Sequence, residues 1–211
     1  ASEGITAIQV ETNDTWVRDY MPLWVRWAHG FELLDFGFNA WGEKYEYRLD
    51  NAVTGRLYSD HLIFDAQVLY RNLNHFILEG GSVETDGVGT LITTQECLCA
   101  GTRNPGYSMQ EIEGLLRKTL RIKEVLWLRD CVLDGDDTDG HVDLLVRFCA
   151  PYTIAYSACD DEADPQYGRL RGMERKLIDW VKETGRDYTL VPVPTPPPVY
   201  DASGNRLPAT Y

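Results

Sequence analysis

The densest concentration of reactive side chains lies at Asp136-Asp137-Thr138-Asp139-Gly140-His141-Val142-Asp143. In a strand starting at His141, residues 141 and 143 face the same side, so an imidazole and a carboxylate enter one site together. Imidazole changes charge near neutral pH, and a carboxylate can orient it or stabilise its charged form, which suits proton transfer. The plainer alternative is a glycine-containing acidic turn ahead of a strand. A calcium loop does not fit. With Asp134 in first position, the sixth is Asp139 rather than Gly and the twelfth is Leu145 rather than Glu.

Two further segments carry chemistry-bearing groups. Asp14-Thr15-Trp16-Val17-Arg18-Asp19-Tyr20 puts acid, base and aromatic groups into what reads as one strand. Its bland alternative is a solvated Arg18–Asp19 pair on an edge. Leu78-Glu79-Gly80-Gly81-Ser82 reads as a strand ending in two glycines, which mark a bulge, a close backbone approach or an ordinary hairpin corner.

These segments need elements to hold them. Ser108-Met109-Gln110-Glu111 is a capping box, followed by an apolar face of Ile112, Leu115, Leu116 and Leu120. A second helix opens near Asp164-Pro165, carries Leu170, Met173, Leu177, Ile178 and Val181, and stops near Gly185. Strand-like runs flank both. Phe76 to Leu78 and Thr90 to Thr93 precede the first helix, and Val125 to Leu128 follows it. Val142 to Phe148 and Thr153 to Tyr156 precede the second, and Tyr188 to Val191 follows it.

The order is β-β-α-β, twice. An earlier copy runs through Trp16 to Trp27, Phe31 to Phe38 and a weaker helix around Leu49 to Leu57, with a closing strand that cannot be placed. Asp19 and Glu79 are 60 residues apart, and Glu79 and His141 are 62 apart. A period of this length indicates a radial or stacked architecture, although a single α+β domain with coincidental spacings remains the alternative.

Composition narrows the function. The chain has 211 residues, with 44% hydrophobic and 25% charged, as expected of a globular domain rather than a disordered chain or a coiled coil. Twenty Lys and Arg face 33 Asp and Glu, a net charge of −13. This disfavours nucleic acid, whose affinity rests on phosphate neutralisation, and steers in cations. No apolar run of membrane-spanning length and no signal peptide are visible, so the expected setting is cytoplasmic. The five cysteines, Cys97, Cys99, Cys131, Cys149 and Cys159, form no C-x-x-C and read as reduced thiols, mostly buried. His61, His75 and His141 show no metal-ligand spacing. The proline-rich tail, Pro192 to Pro198, reads as extended, and Asp201 to Asn205 as a turn. Sequence is expected to continue beyond Tyr211, and the start at Ala1 rather than Met reads as a processed or trimmed N-terminus.

Taken together the segments resemble the agmatine deiminase / Porphyromonas-type peptidylarginine deiminase family. The W-x-R-D pattern stands at Trp16 to Asp19 and L-E-G-G-S at Leu78 to Ser82. G-T-L-x-T-T stands at Gly89 to Thr94, R-N-P at Arg103 to Pro105 and D-D-T-D-G-H-x-D at Asp136 to Asp143. Arg147-Phe148 and the closing R-L-P-A-T-Y from Arg206 complete the set.

The resemblance implies a pentein, an α/β propeller of five ββαβ modules. About three and a half are expected here, near 1–72, 73–135 and 136–198, with the next starting at 199–211. It also implies hydrolysis of a guanidinium group with no metal or organic cofactor. In that scheme Asp19 and Asp143 bind the guanidinium by charge-assisted hydrogen bonds. His141 is the acid and base, Glu79 orients it, and Trp16 lines the pocket. The nucleophilic cysteine is expected outside this chain, since none of the five stands in a matching context. The implied partner is a small cationic guanidinium compound, agmatine or an arginine side chain, with no nucleic acid or membrane, and a homo-oligomer is compatible with it. The alternatives are a peptidylarginine deiminase, a catalytically silent cation-binding or assembly protein, and a hydrolase using Mg²⁺ or Mn²⁺ at Asp136 to Asp143.

Overall fold

The computed structural model describes residues 7–60 and 68–208. The chain divides into two compact units, residues 1–80 and 81–211.

The first unit runs α1 (Val17–Tyr20), β1 (Leu23–Trp27), β2 (Gly30–Gly37), α2 (Ala40–Glu43), α3 (Arg48–Ser59) and β3 (Val68–Ile77). Its sheet has the order β1-β2-β3. β1 and β2 form an antiparallel hairpin, with Leu23 opposite Leu34 and Trp27 opposite Gly30. β3 returns parallel to β2, with Phe31 beside Val68. A parallel return needs a crossover, and α3 lies on it. α3 turns Asp50, Val53, Thr54 and Leu57 inward. Val53 and Leu57 pack with Tyr20, Phe38, Ala40 and Trp41, and Leu33 and Leu34 of β2 are fully buried.

Two expectations are corrected here. Asp14 to Tyr20 is not a strand. Asp14 Oδ1 accepts hydrogen bonds from the amides of Thr15 and Trp16, at 2.5 and 3.1 Å, and the single helical turn α1 follows. Its polar side chains compete for local backbone donors, which favours a turn over a ladder. Phe76 to Leu78 does not open the second repeat. It ends the long β3 and closes the first sheet, with the Leu78 amide donating to the Gly37 carbonyl at 3.0 Å. β3 is thus the closing strand that the sequence pattern could not place. The apolar alternation of a strand does not say which sheet it joins.

The second unit repeats the plan twice. One sheet holds β4 (Val83–Thr85), β5 (Thr90–Thr94) and β6 (Glu124–Leu128), with α4 (Gln95–Leu98) and α5 (Met109–Leu120) between β5 and β6. The other holds β7 (Val146–Ala150), β8 (Thr153–Ala158) and β9 (Thr189–Pro194), with α6 (Tyr167–Thr184) between β8 and β9. In both, the first pair is antiparallel and the second parallel.

The capping box at Ser108 forms as read, with Ser108 and Glu111 exchanging hydrogen bonds. α6 ends at Gly185, whose φ of 62° is the left-handed conformation that glycine adopts freely. β9 absorbs Pro192 and Pro194 because it is an edge strand, where a missing donor costs no ladder bond. Glu84 of β4 ties the two sheets together, accepting from the Arg147 guanidinium at 3.1 Å and the Phe148 amide at 2.9 Å. One core of Leu126, Leu128, Leu145, Ile154, Leu170, Met173 and Leu177 runs through the unit. The expected Val142–Phe148 strand is split: Val142–Leu144 is a 3₁₀ turn and the strand starts at Val146.

The closing segment docks on this unit. Arg206 donates two hydrogen bonds to the Asp164 carboxylate, at 2.7 and 2.9 Å. Gly135 sits so close beneath that a Cβ would lie 2.3 Å from the Arg206 carbonyl oxygen. The turn at Asp201 to Asn205 forms as read, with the Asp201 carboxylate accepting from the amides of Ser203 and Asn205, each at 2.8 Å. Ala209, Thr210 and Tyr211 of the R-L-P-A-T-Y motif, and His61, lie outside the described residues. Among the described residues no helix is long and apolar enough to cross a membrane.

Candidate functional site

In the first unit the site begins with Asp19, buried in α1 ahead of the first strand β1. The fully buried Asp50 of α3 anchors the segment leading to it, accepting from the amides of Asn13 and Asp14 at 2.6 and 3.1 Å. Tyr20 adds a hydrogen bond from its hydroxyl to the Asp14 carbonyl at 2.8 Å. Burial and the neighbouring Asp50 charge raise the pKa of that phenol, so it stays a donor. The Asp19 carboxylate accepts a hydrogen bond from the Trp41 indole N–H at 3.0 Å.

Trp41 belongs to α2, whose hydrogen bonds are helical but whose hand is reversed. Ala40, Trp41, Gly42 and Glu43 have φ of 49°, 56°, 94° and 66°. The Glu43 and Lys44 amides donate to the Asn39 and Ala40 carbonyls at 2.6 and 3.1 Å. Each L-residue in this conformation costs about 1–2 kcal/mol, so the three non-glycine residues store several kcal/mol. The Asn39 side chain accepts from the Gly42 amide at 3.1 Å, and the indole packs edge-on to Phe38 and Tyr45.

Glu79 follows β3 directly, is fully buried, and precedes a 3₁₀ turn over Gly80–Ser82. The first glycine of the pair serves a close approach: a Cβ on Gly80 would lie 2.1 Å from the Arg18 carbonyl oxygen. The turn carrying Asp19 and the turn carrying Glu79 are therefore pressed together within the first unit. Trp16, at the N-terminus of α1, is 53% exposed.

The second unit carries His141 and Asp143. They sit at the start of the 3₁₀ turn, not in a strand as expected, with His141 Nδ1 and Asp143 Oδ1 3.9 Å apart and both side chains buried. The 3₁₀ turn keeps residues i and i+2 near one another at shorter reach than a strand would. Two other acidic residues of this loop, Asp136 and Asp139, build it. Asp136 accepts from the amides of Thr138 and Gly140, at 2.8 and 2.7 Å, and from the Thr138 hydroxyl. Asp139, at φ 64°, accepts from the buried Arg103 guanidinium at 2.7 Å, and Arg103 also donates to the Thr138 carbonyl at 3.1 Å. Thr94, at the end of β5, donates to the Gly140 carbonyl at 2.5 Å. Asp136 is thus engaged at both oxygens and Asp139 by Arg103, so these two carboxylates are spent inside the loop.

The 60- and 62-residue spacings now have a structural meaning. Asp19 lies four residues before β1, Glu79 four before β4 and His141 five before β7. Each stands in the turn that enters the first strand of its sheet.

All 211 residues match the model of the Porphyromonas-type peptidyl-arginine deiminase family. The chain belongs to that family. A Shewanella frigidimarina protein provisionally named an agmatine deiminase is 38% identical over 205 residues, covering 93% of this chain and 53% of its own length. The crystal structure of the arginine deiminase assigned in Porphyromonas gingivalis is 42% identical with a TM-score of 0.90, covering 97% of this chain and 60% of that one. A cysteine-to-serine variant of the C. jejuni agmatine deiminase with substrate bound is 36% identical with a TM-score of 0.84, covering 99% of this chain and 59% of that one. The mixed α/β architecture of ββαβ units is the pentein fold of these deiminases. The chain spans about half the length of the curated relatives it matches.

In this deiminase family member the five cysteines form no disulfide with one another. Cys97, Cys131 and Cys159 are buried. Burial, with Glu96 and Asp130 adding, pushes the Cys131 thiol up to about 12. Cys99 lines an open polar cavity with Gln95, Glu96, Arg129 and Asp130, and burial followed by the Glu96 charge raises its pKa. A nucleophilic thiol needs the opposite shift. Sequence reasoning left three residues of the site unread. These are Trp41 on Asp19, Asp50 beneath the Asp14 turn, and Arg103, quoted only as part of a motif. The Asn39-x-x-Gly42 pattern is turn chemistry and could have flagged a break after β2. Nothing local announces that Trp41 reaches Asp19.

Proposed function

We propose that the protein carrying this chain hydrolyses a guanidinium group, with agmatine and water giving N-carbamoylputrescine and ammonia. The observation that carries the reading is the buried His141–Asp143 pair, held in a loop in which the Asp136 and Asp139 carboxylates are spent on building it. A buried acid beside an imidazole, in a chain of this family, is the equipment of acid–base chemistry on a cation.

Each residue has a proposed role. Asp19 and Asp143 accept hydrogen bonds from the guanidinium N–H edges and balance its charge. A cysteine thiolate outside residues 1–211 attacks the guanidinium carbon. His141 protonates the departing nitrogen as the C–N bond breaks and ammonia leaves. It then takes a proton from the water that cleaves the carbon–sulfur bond and returns the thiolate. Glu79 keeps the imidazole in the productive tautomer and stabilises its charged form. Trp16 offers an aromatic face to the cation. The raised thiols of Cys99 and Cys131 argue against those two as the nucleophile, and the replacement of a cysteine by serine in a substrate-bound relative supports a cysteine in that role.

The test is ammonia release by the full-length protein from agmatine and from a peptide containing internal or C-terminal arginine. Agmatine turnover that falls at least 100-fold in His141→Asn and Asp143→Asn variants is the expected outcome, the usual scale for losing an acid–base group. Turnover of the peptide alone replaces agmatine by peptidyl arginine. Guanidinium binding without ammonia release from either substrate replaces the enzyme by a cation-binding protein.

A further inference from the structure

We propose that Trp41 is a positioning residue for Asp19: its indole N–H, delivered by a left-handed backbone turn, sets the rotation and the charge of the carboxylate that holds the guanidinium. The inference rests on the reading of Asp19 given above.

Three observations carry it. The first is the hydrogen bond itself, 3.0 Å from indole nitrogen to Asp19 Oδ2, with both residues buried. A donor on one carboxylate oxygen fixes rotation about the Cβ–Cγ bond and favours the ionised form. The second is the backbone. Ala40, Trp41, Gly42 and Glu43 are all left-handed in succession, yet only one is glycine. A turn with a purely connective task would place glycine or asparagine at such positions. Strain held at non-glycine residues points to a task for the side chain it delivers. The third is rigidity. Phe38 and Tyr45 pack edge-on against the indole, at ring separations of 5.3 and 5.9 Å. The Phe38 amide is in turn held by the Asn51 side chain at 2.7 Å. Trp41 therefore cannot swing away from Asp19 without disturbing α3, which carries Asn51.

Asp19 enters through a segment fixed by Asp50, also on α3. One helix thus anchors both the acceptor and its donor. An aromatic ring at position 41 would suffice for packing; the N–H is needed only if the carboxylate must be aimed.

The test uses the full-length protein with Trp41→Phe, and a second variant in which Trp41 is replaced by β-(benzothiophen-3-yl)alanine. The second keeps the two-ring shape and deletes only the N–H, so it serves if the phenylalanine variant folds poorly. Two readouts are taken. Selective ¹³C labelling follows the Asp19 carboxyl through a pH titration without any substrate, and steady-state kinetics follow agmatine. The expected result is an upward move of the Asp19 titration midpoint and a KM for agmatine raised about 10-fold, with a smaller change in kcat, the scale of one hydrogen bond to a charged group. Melting temperature of the benzothienyl variant should stay near that of the parent. An unchanged midpoint and unchanged KM in a folded benzothienyl variant overturn the proposal. If the parent protein turns over no guanidinium compound, the reading of Asp19 as a substrate ligand fails and takes the kinetic half of this proposal with it. The titration still decides whether the indole governs the carboxylate.

Discussion

Gly80 lies so tightly against Arg18 that a Cβ would come within 2.1 Å of the Arg18 carbonyl oxygen. The obstacle is backbone, which cannot rotate aside. Asp19 and Glu79 are each one residue from this contact, so it sets the approach of two chain segments that are 60 residues apart. Gly80→Ala should cost about 1–3 kcal/mol, the scale of overpacking a tight site. Turnover should also fall, because both carboxylates ride on the displaced segments. Urea unfolding and ammonia release measure the two effects, and a variant unchanged in both would show that the approach relaxes freely.

Arg103 holds the His141 loop from outside, through Asp139 and the Thr138 carbonyl. Its side chain is fully buried while that of Asp139 is 38% exposed, so the pair is partly open to water. Arg103→Met should cost about 1–3 kcal/mol, the range for losing hydrogen bonds to a charged group. The kinetic effect should be larger than the loss of stability explains, because Asp139 and Gly140 need the left-handed region to present His141. Comparing kcat/KM with the fraction folded at one temperature separates the two.

The Asp164–Arg206 pair predicts a pH dependence. Hydrogen bonds from Arg206 are the main cause holding the Asp164 carboxyl below its usual value. A depressed folded-state pKa gives stability that is present above the unfolded value, about 3.9, and is lost as pH falls through the folded value. Arg206→Gln should therefore be less stable than the parent at pH 7. The difference should shrink below about pH 4 and vanish once Asp164 is protonated. A gap that persists at pH 2 would mean the arginine acts by packing instead.

Thiol accessibility should sort the cysteines. Cys149 is exposed, while Cys131 is buried with its thiol pushed up to about 12. At pH 8 a thiol reagent should label Cys149 in the folded protein and reach Cys131 only on unfolding. Replacing Cys99 or Cys131 by serine should leave ammonia release by the full-length protein within about 3-fold, since neither thiol has the lowered pKa of a nucleophile. Loss of turnover in a folded variant would return that cysteine to the catalytic set.

Much of this protein was legible in its residue order. The capping box at Ser108, the stop at Gly185 and the ββαβ succession follow from local chemistry and apolar period, which act over a few residues. The family motifs named Asp19, Glu79, His141 and Asp143, and the near-equal spacing of the first three reflects one position before each sheet, the turn that enters its first strand. Other features were decided only when the chain closed on itself. Asp14 to Tyr20 and His141 to Asp143 are turns because Asp14, Asp50 and Thr138 capture backbone amides that a strand would have spent on a neighbour. The strand ending at Ile77 joined the first sheet through its pairing with β2, a choice that alternation leaves open. The reach of Trp41 to Asp19 across 22 residues has no local cause, although Asn39 on the Gly42 amide marks a turn there. A left-handed run of L-residues is unfavourable by itself, and persists only where the surrounding packed structure over-determines it.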